Sequence, residues 1–432
     1  MQLEGKRQIS VCCLLNLYHL AYKPIGLFQL SSYTNSLHCL LQALPGARVV
    51  GETDIDIKMI DCDSRSISDG GLFVAINGGE EQDRHDFVRD AVTSGAVAVV
   101  VERAVAEIDG VTTIEVEDCR DALAVLASRF FAEPASCLCN IGVTGTNGKT
   151  TTVSMLEHLL KGFLKEKSVL AIGNIGKPVL DFLDKKIDIA IIEVSSFQIE
   201  FSSDLDSEIG ILLNIEEDHL DRHKSFAIYK SLKKRVLKES NINISTIEHK
   251  IVGKKFYNYE NYFPEFNMVK TQILEKWPLH DVINLKAALV ALYLILEHKE
   301  NIVIHDINDF LDKAIKIISS FKKQPHRFEL IENNSGVIYV NDSKATNISA
   351  TINGITSLDG HLLVLLGGQD KGEDFTRLIE PLKANNSKVI AFGEAGDRLY
   401  QQLKEDVMVR LVEGSFEDLM ESAFEWAERG DT

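Results

Sequence analysis

Residues 142–150 combine the residue types and the spacing of a loop that binds phosphate groups. Their sequence, GVTGTNGKT, ends like the pattern G-x-x-x-x-G-K-[ST], although Val143 stands where that pattern has its first glycine. Glycines let backbone N–H groups turn toward phosphate oxygens, a lysine reaches the terminal phosphates, and a threonine hydroxyl can ligate Mg²⁺. The residues that we predict to contact a nucleotide here are Gly145, Thr146, Asn147, Gly148, Lys149, Thr150 and Thr151.

Carboxylates and histidines follow two further apolar stretches of the chain. Glu193 ends the first stretch, and a carboxylate at the carboxyl end of a strand suits Mg²⁺, which prefers oxygen ligands. Residues 214–223, NIEEDHLDRH, place several carboxylates and two histidines after the second stretch. This cluster is compatible with a metal site and also with the acidic start of a helix, so the residues alone leave both interpretations open.

Apolar strands and amphipathic helices alternate around these motifs. The pattern predicts helices at 37–44, 121–131 and 153–164. It predicts strands at 97–101, 187–196, 208–215, 337–342, 361–368 and 388–394. Such alternation is typical of parallel sheets with crossover helices, in which ligands bind at the carboxyl ends of the strands. We therefore predict an α/β protein whose motifs meet at one edge of a sheet.

Composition limits the possible partners of the chain. Its 432 residues are enough for about three domains, and its net charge of −18 repels nucleic-acid backbones, so we expect no nucleic-acid partner. No apolar run approaches the ~20 residues of a membrane span, and we expect a cytoplasmic protein with no membrane partner. All seven cysteines precede residue 140, where lysine also begins to outnumber arginine, which indicates a domain boundary.

Several motifs resemble those of the Mur ligase superfamily, whose members use ATP to join a carboxylate to an amine. These motifs are GVTGTNGKT (142–150), EVSSFQIE (193–200), NIEEDHLDRH (214–223), HRFE (326–329) and NDSKATN (341–347). The resemblance implies a small N-terminal α/β domain, a central P-loop ATPase domain with a parallel sheet, and a C-terminal Rossmann-like domain. We place these domains at 35–139, 140–322 and 323–432, after an extension of unknown role at 1–34.

The same resemblance assigns roles around the nucleotide. It implies ATP and two Mg²⁺ ions as cofactors, with Thr150, Glu193 and His219 as metal ligands. Lys149 and His219 are implied to be catalytic, as is Lys233, whose carbamylation would turn a cation into an anion that can ligate or orient Mg²⁺. The residues implied in nucleotide binding outside the loop are Asn284, Arg327 and Asp342.

The last third of the chain supplies the implied contacts to an amino acid. Residues 140–432 resemble the MurD branch, which adds D-glutamate. In that branch Lys344 contacts the acyl phosphate and is catalytic, Thr346 contacts the D-glutamate carboxylate, and Lys371, in the turn GGQDKG, pairs with its side chain. Because that branch continues past Thr432 with a segment that closes over D-glutamate, we expect an incomplete amino-acid pocket.

The first third of the chain resembles a different branch. Residues 37–139 are similar to the N-terminal domain of the MurE branch, which adds a diamino acid. That likeness implies that Ser64 and Arg65 bind the uridine diphosphate end of a substrate. The motif GNIG, in the central part of the chain, matches the superfamily and implies that Asn174 contacts the muramoyl peptide. Asp281 departs from the superfamily pattern, because it stands where the superfamily has an asparagine that contacts adenine.

Three functions are compatible with these motifs. The favoured hypothesis is a monomeric ligase of peptidoglycan precursor synthesis that adds D-glutamate to UDP-N-acetylmuramoyl-L-alanine through an acyl phosphate. The second is a MurE-like ligase that adds L-lysine or diaminopimelate to UDP-MurNAc-L-Ala-D-Glu. The third, of another class, is a hybrid or truncated nucleotide-binding protein without ligase turnover.

Overall fold

The computed structural model describes residues 35–432 apart from several short segments. Those segments are 78–82, 107, 132–137, 176–186, 201, 203–204, 206, 248–253, 268–276 and 332–335. The predicted extension at 1–34 lies outside the described residues, as does the last glycine of the motif GNIG.

The N-terminal unit forms a mixed sheet. Its elements are α1 (Leu37–Leu41), β1 (Arg48–Val50), β2 (Met59–Asp61), β3 (Gly71–Val74), α2 (Val88–Thr93), β4 (Ala96–Val101), β5 (Thr112–Glu115) and α3 (Cys119–Phe130). The strand order is β1-β5-β4-β3-β2, and the strands are parallel except for the pair β1–β5. The structure confirms the predicted strand at 97–101 and the helix at 121–131, with shifts of one or two residues at their ends.

The central unit is a parallel sheet with apolar side chains packed on both faces. Its elements are β6 (Cys139–Thr144), α4 (Lys149–Phe163), β7 (Val169–Gly173), β8 (Ile189–Glu193), α5 (Ser196–Glu200), β9 (Ser207–Leu212), α6 (Leu220–His223), α7 (Phe226–Lys238), β10 (Ser240–Ser245), β11 (Lys255–Tyr257), α8 (Leu279–His298) and α9 (Ile307–Ile318). The order β11-β10-β9-β6-β8-β7 places β8 and β9 on either side of β6. The three strands that precede the chemical motifs therefore end side by side.

The C-terminal unit contains two separate sheets. Its elements are β12 (Glu329–Ile331), β13 (Tyr339–Asn341), α10 (Ile348–Thr356), β14 (Leu363–Gly367), α11 (Ile379–Ala384), β15 (Lys388–Phe392), α12 (Gly396–Leu403), β16 (Met408–Val412) and α13 (Phe416–Trp426). The strands β14-β15-β16 form a parallel sheet, which confirms two of the predicted strands.

The third predicted strand of this unit pairs differently from the expectation. Strand β13 is antiparallel to β12 and does not join the parallel sheet. Residues 430–432 lie between the two sheets, because Ile338 N–H donates to the Asp431 carbonyl at 3.1 Å and Leu363 N–H donates to the Thr432 carbonyl at 2.8 Å. The alternating pattern therefore located the strand correctly, but its partner depends on segments that are distant in sequence.

Helix α8 corrects the expectation that no apolar run reaches the length of a membrane span. Its 20 residues have a mean hydropathy of 1.7 in the most apolar window. By length and composition alone, the helix could cross a membrane. Yet 67% of that window is buried inside the protein, where α8 packs in the central core. A helix that is apolar all round is typical of the core of a large protein as well as of a membrane.

Strand β9 and helix α7 approach each other closely at Gly210. A Cβ atom on Gly210 would overlap with the carbonyl oxygen of Val236 and the hydroxyl of Ser240. Helix α7 carries Lys233, and β9 leads into residues 214–223, so this contact sets the position of two chemical motifs.

We expect the substitution Gly210→Ala to lower the stability of the central unit by about 1–3 kcal/mol, because α7 must move away from the sheet. The midpoint of thermal unfolding measures this change. Gly46→Ala is the control, since a Cβ there would meet nothing within 4 Å. Equal midpoints for the two variants would contradict the close approach.

Candidate active site

The phosphate loop spans residues 145–148, between β6 and α4. Gly148 has a φ of +82°, and a Cβ atom there would overlap with Asn284 Oδ1, so only glycine fits this turn. Helix α4 begins at Lys149, four residues before its predicted start, because Gly148 in the left-handed region acts as its N-cap. Lys149 Nζ donates to the carbonyl oxygens of Gly145 and Thr146, each at 2.9 Å. The loop and the helix N-terminus thus enclose an ammonium group.

A second lysine contacts the same loop. Lys233 Nζ donates to the Gly145 carbonyl oxygen at 2.7 Å and lies 4.7 Å from the centre of the Tyr229 ring. The side chain is only 1% exposed. Burial and the nearby ammonium of Lys149 lower the pKa of Lys233 well below its ordinary value, and burial also lowers the pKa of Lys149. The ammonium groups of the buried Lys233 and the half-buried Lys149 therefore share one carbonyl oxygen.

Glu193 ends β8 with one of its carboxylate oxygens unpaired. Its side chain is buried, Oε1 accepts a hydrogen bond from Asn174 Nδ2 at 3.3 Å, and Oε2 has no partner among the described residues. Glu193 partly offsets the lowering of the Lys149 pKa by burial, which places both groups in one electrostatic environment. A buried carboxylate oxygen without a partner fits a hard cation such as Mg²⁺, with the Thr150 hydroxyl as a second oxygen ligand.

The structure describes no group of three His, Cys, Asp or Glu side chains arranged for a metal ion in the residues that it covers. Mg²⁺ in nucleotide sites is held by one or two protein oxygens together with phosphates and waters. The residues present therefore fit an ion that arrives with a nucleotide better than an ion held by protein ligands alone.

The segment after β9 holds the phosphate loop in place. Asn214 Oδ1 accepts a hydrogen bond from Asn147 N–H at 2.8 Å, while its Nδ2 donates to the Asn147 carbonyl at 3.1 Å. Glu216 N–H donates to the Thr146 hydroxyl at 2.9 Å. The loop is thus oriented by side chains of a neighbouring strand end as well as by its own glycines.

His219 is the N-cap residue just before the short helix α6. It has a left-handed conformation, with a φ of +53°. Its ring centroid lies 4.8 Å from that of Phe197, and its Nε2 lies 3.6 Å from Asp218 Oδ2. Phe197 also stacks on the buried His223, with ring centroids 5.2 Å apart. These contacts hold the imidazole of His219 at the edge of the sheet where β8 ends in Glu193.

Arg327 reaches from the C-terminal unit to the phosphate loop. Its Nη2 donates to the Thr150 hydroxyl at 2.8 Å. The flanking residues His326 and Phe328 have φ values of +65° and +50°, which are uncommon for residues other than glycine. Asp342 Oδ1 accepts a hydrogen bond from Phe328 N–H at 2.9 Å, and burial raises the pKa of this carboxyl group. The strained turn is therefore held in place by Asp342.

The start of α8 borders the loop and also contacts the linker to the C-terminal unit. Asn284, a predicted nucleotide contact, is buried and faces Gly148. One turn earlier, the buried Asp281 forms an ion pair with Lys323, which lies between α9 and β12. Asp281, which stands where the superfamily has an asparagine, therefore connects the linker to α8 through an ion pair.

The predicted amino-acid contacts lie together on the C-terminal unit. Lys371 Nζ donates to the Thr346 carbonyl oxygen at 3.1 Å, and both residues are exposed. Lys344 is exposed too, and its backbone N–H donates to the His326 carbonyl at 3.2 Å. The ammonium group of Lys371 thus lies next to the backbone of Thr346.

Ser64 and Arg65 lie in the N-terminal unit, separate from these contacts. The guanidinium of Arg65 is 87% exposed and pairs with Asp63 at 2.6 Å, which lowers the pKa of Asp63 to about 2. Among the described hydrogen bonds and ion pairs, none joins Ser64 or Arg65 to the phosphate loop. The structure therefore does not bring the predicted uridine contacts to the residues around Lys149.

Sequence reasoning missed two asparagines that contact the loop. Asn214 was recognised only as the first residue of a motif, and Asn347 only as the last. An asparagine directly after a strand next to the loop strand was the available signal for Asn214, whereas Asn347 contacts Asn147 only because two units meet.

Three models of domain families match successive parts of the chain. The model described as Mur ligase family, catalytic domain, matches residues 56–131. The Mur ligase middle domain matches residues 143–268, and the Mur ligase, glutamate ligase domain, matches residues 326–432.

Curated relatives include D-glutamate ligases from several bacteria. The UDP-N-acetylmuramoylalanine–D-glutamate ligase of Francisella philomiragia is 33% identical over 280 residues, which cover 61% of this chain and 62% of that protein. The ligase of the same name from Pseudothermotoga lettingae is 31% identical over 296 residues, with 67% and 68% covered. The chain thus spans about 62% of the length of the Francisella enzyme.

Solved structures of Mur ligases share the fold along most of the chain. MurF from Acinetobacter baumannii has a TM-score of 0.57 at 18% identity and covers 91% of this chain and 98% of its own. MurF from Thermotoga maritima in complex with ADP has a TM-score of 0.55 at 20% identity, with 86% and 92% covered. A UDP-N-acetylmuramoyl-L-alanyl-D-glutamate–2,6-diaminopimelate ligase has a TM-score of 0.58 at 16% identity, with 92% of each chain covered.

The three matched domains follow the same order as the three units of the structure. The solved ligases extend that agreement to the fold, and the relatives extend it to the sequence over two thirds of the chain. The predicted three-domain α/β architecture is therefore confirmed, and this chain belongs to the Mur ligase family.

Proposed function

We propose that this protein is an ATP-dependent amide-bond ligase of peptidoglycan precursor synthesis, which adds D-glutamate to UDP-N-acetylmuramoyl-L-alanine. The observation that carries the proposal is the meeting of Lys149 and Lys233 at the carbonyl of Gly145, next to the unpaired oxygen of Glu193. Two ammonium groups and a carboxylate can bind a triphosphate with its metal ion, and the curated relatives of this chain include D-glutamate ligases.

In the proposed reaction, a substrate carboxylate takes the terminal phosphoryl group of ATP, and the amine of D-glutamate then displaces phosphate from the acyl phosphate. Lys149 would neutralise charge on the phosphates, and Arg327, already bonded to Thr150, would contact them from the C-terminal unit. Glu193, Thr150 and His219 would hold Mg²⁺, which supplies further charge neutralisation when bound.

The C-terminal unit would orient the amine. Lys371 and Thr346 would bind the carboxylates of D-glutamate, and Lys344 would stabilise the acyl phosphate. Closure of this unit over the phosphate loop would exclude water, because an acyl phosphate is otherwise hydrolysed. Ser64 and Arg65 would bind the uridine diphosphate end and Asn174 the muramoyl peptide. We further propose a cytoplasmic monomer with domains at 35–139, 140–322 and 323–432, as the resemblance implied.

Substrate-dependent release of phosphate tests this function against its alternatives. Release that requires both UDP-N-acetylmuramoyl-L-alanine and D-glutamate supports the proposal. Release that requires UDP-MurNAc-L-Ala-D-Glu with L-lysine or diaminopimelate supports a MurE-like ligase instead. Release that needs no amino acid contradicts both and indicates a nucleotide-binding protein without ligase turnover.

We expect Lys149→Ala to reduce ATP turnover by at least about 100-fold, because the phosphates lose a buried cation. Lys161→Ala is the matched control, since Lys161 lies on the same helix in an exposed pair with Glu157. Steady-state phosphate release measures both variants. A rate for Lys149→Ala close to that of the control would contradict the assignment of the phosphate loop.

The variant Lys371→Ala should raise the KM for D-glutamate by at least about tenfold while changing the KM for ATP much less, because it removes one cation from the amino-acid site. Lys383→Ala serves as the control, since Lys383 forms a partly exposed surface pair with Asp406 in the same unit. Equal changes in the two KM values would argue against the role of Lys371.

Carbamylation of Lys233 should depend on pH in a defined direction. The neutral amine reacts with CO₂ to form a carbamate and a proton, so a lowered pKa leaves more reactive amine at a given pH. With ¹³C-bicarbonate, we expect a carbamate resonance that weakens as the pH falls from about 8.5 to about 6.5. The resonance should be absent in Lys233→Arg and present in Lys230→Ala. A spectrum of Lys233→Arg that equals the wild type would exclude Lys233 as the modified residue.

A further inference from the structure

Asn347 caps helix α10 with one atom of its side-chain amide. Its Oδ1 accepts a hydrogen bond from Ala350 N–H at 2.8 Å, and its φ of −144° is the extended conformation of an N-cap residue. The residue is only 6% exposed. Because Oδ1 serves the cap, the orientation of the amide is settled, and Nδ2 points away from the helix with both of its N–H groups.

These N–H groups contact two different parts of the nucleotide site in the central unit. Asn347 Nδ2 donates to Asn147 Oδ1 at 3.1 Å and to Asp218 Oδ2 at 3.2 Å. Asn147 belongs to the phosphate loop, and Asp218 accepts the backbone N–H of His219 at 2.9 Å through its other oxygen. One buried amide group of the C-terminal unit therefore uses its full donor capacity on the loop and on the acidic segment.

The same residue is covalently next to the proposed amino-acid site. The carbonyl of Thr346, which accepts the hydrogen bond from Lys371 Nζ, lies in the same planar peptide unit as the N–H of Asn347. A ligand that moves Lys371 or Thr346 therefore also moves the planar peptide unit that joins Thr346 to Asn347. The path from the amino-acid site to the phosphate loop is two residues long.

We propose that Asn347 is a positioning residue that holds the phosphate loop in its binding geometry and couples the amino-acid site to the bound nucleotide. The inference about coupling rests on the proposed function, because it takes D-glutamate as the ligand of Lys371. The inference about the loop does not, since it concerns nucleotide binding alone. Coupling between two sites is reciprocal, so the amino acid and the nucleotide raise each other's affinity.

The variant Asn347→Asp separates this role from simple capping of α10. Aspartate caps a helix as well as asparagine does, so the cap of α10 should be retained. It also removes both N–H donors and places a second carboxylate next to Asp218. Asn347→Ser is the second variant. Serine caps the helix, but its side chain is too short to contact Asn147 and Asp218, and it adds no charge. Asp306→Asn is the matched control, an exchange of the N-cap of α9, whose side chain bonds only its own helix in the described contacts.

Calorimetric titration with Mg·ADP provides a readout that needs no turnover. We expect the Kd for Mg·ADP to rise by about tenfold in Asn347→Asp and by about threefold in Asn347→Ser, with the Kd of the Asp306→Asn control unchanged. In the wild type, saturating D-glutamate should lower this Kd by about fivefold or more, and both Asn347 variants should lose that effect.

The outcomes distinguish the two proposals. Kd values for Mg·ADP within about twofold of the wild type in both variants would overturn the positioning role, whatever reaction the protein catalyses. A wild-type Kd that does not respond to D-glutamate, together with weakened binding in both variants, would support the role at the loop and contradict the coupling to D-glutamate. If the variants still respond to D-glutamate, Asn347 does not carry the coupling, and that part of the inference is overturned while the proposed ligase activity stands.

Discussion

Two ammonium groups with little access to solvent meet at one carbonyl oxygen, and the arrangement of the site follows from that contact. Lys149 and Lys233 both donate to Gly145, at 2.9 and 2.7 Å. Burial lowers the pKa of both lysines, and the charge of Lys149 lowers the pKa of Lys233 further. Such a site favours anything that brings negative charge to it. A triphosphate does so from outside the protein, and a carbamate on Lys233 would do so from within it.

The strand order makes this contact possible, and the C-terminal unit adds further contacts beside it. Strand β6 lies between β8 and β9, so the loop, Glu193 and the segment after β9 share one edge of the sheet. The C-terminal unit then adds Arg327 and Asn347, which contact Thr150 and Asn147. Two left-handed residues beside Arg327 carry backbone strain, which is often found at functional sites and persists only where surrounding contacts hold it.

The phosphate loop and the main helices and strands were predictable because their signals are local. A glycine turn between an apolar strand and a helix needs no distant partner, and the structure places it within a few residues of the prediction. The pairing of β13 was not predictable, since its edge meets β12 and residues 430–432 instead of the parallel sheet. The apolar length of α8 was underestimated because polar residues such as Asp281 and Asn284 interrupt its sequence, although the folded core accommodates them.

The sequence by itself determined the chemical groups of this protein and their local frames: the loop around Lys149, the carboxylate at a strand end, and the motifs that identify a Mur ligase. Only the tertiary structure decided which of these groups meet. Lys233 reaches Gly145 from 88 residues away, and Arg327 reaches Thr150 from 177 residues away. Such contacts depend on the packing of whole elements, and burial then lowers the pKa values of the lysines. Neither packing nor burial is encoded in the local spacing of residues.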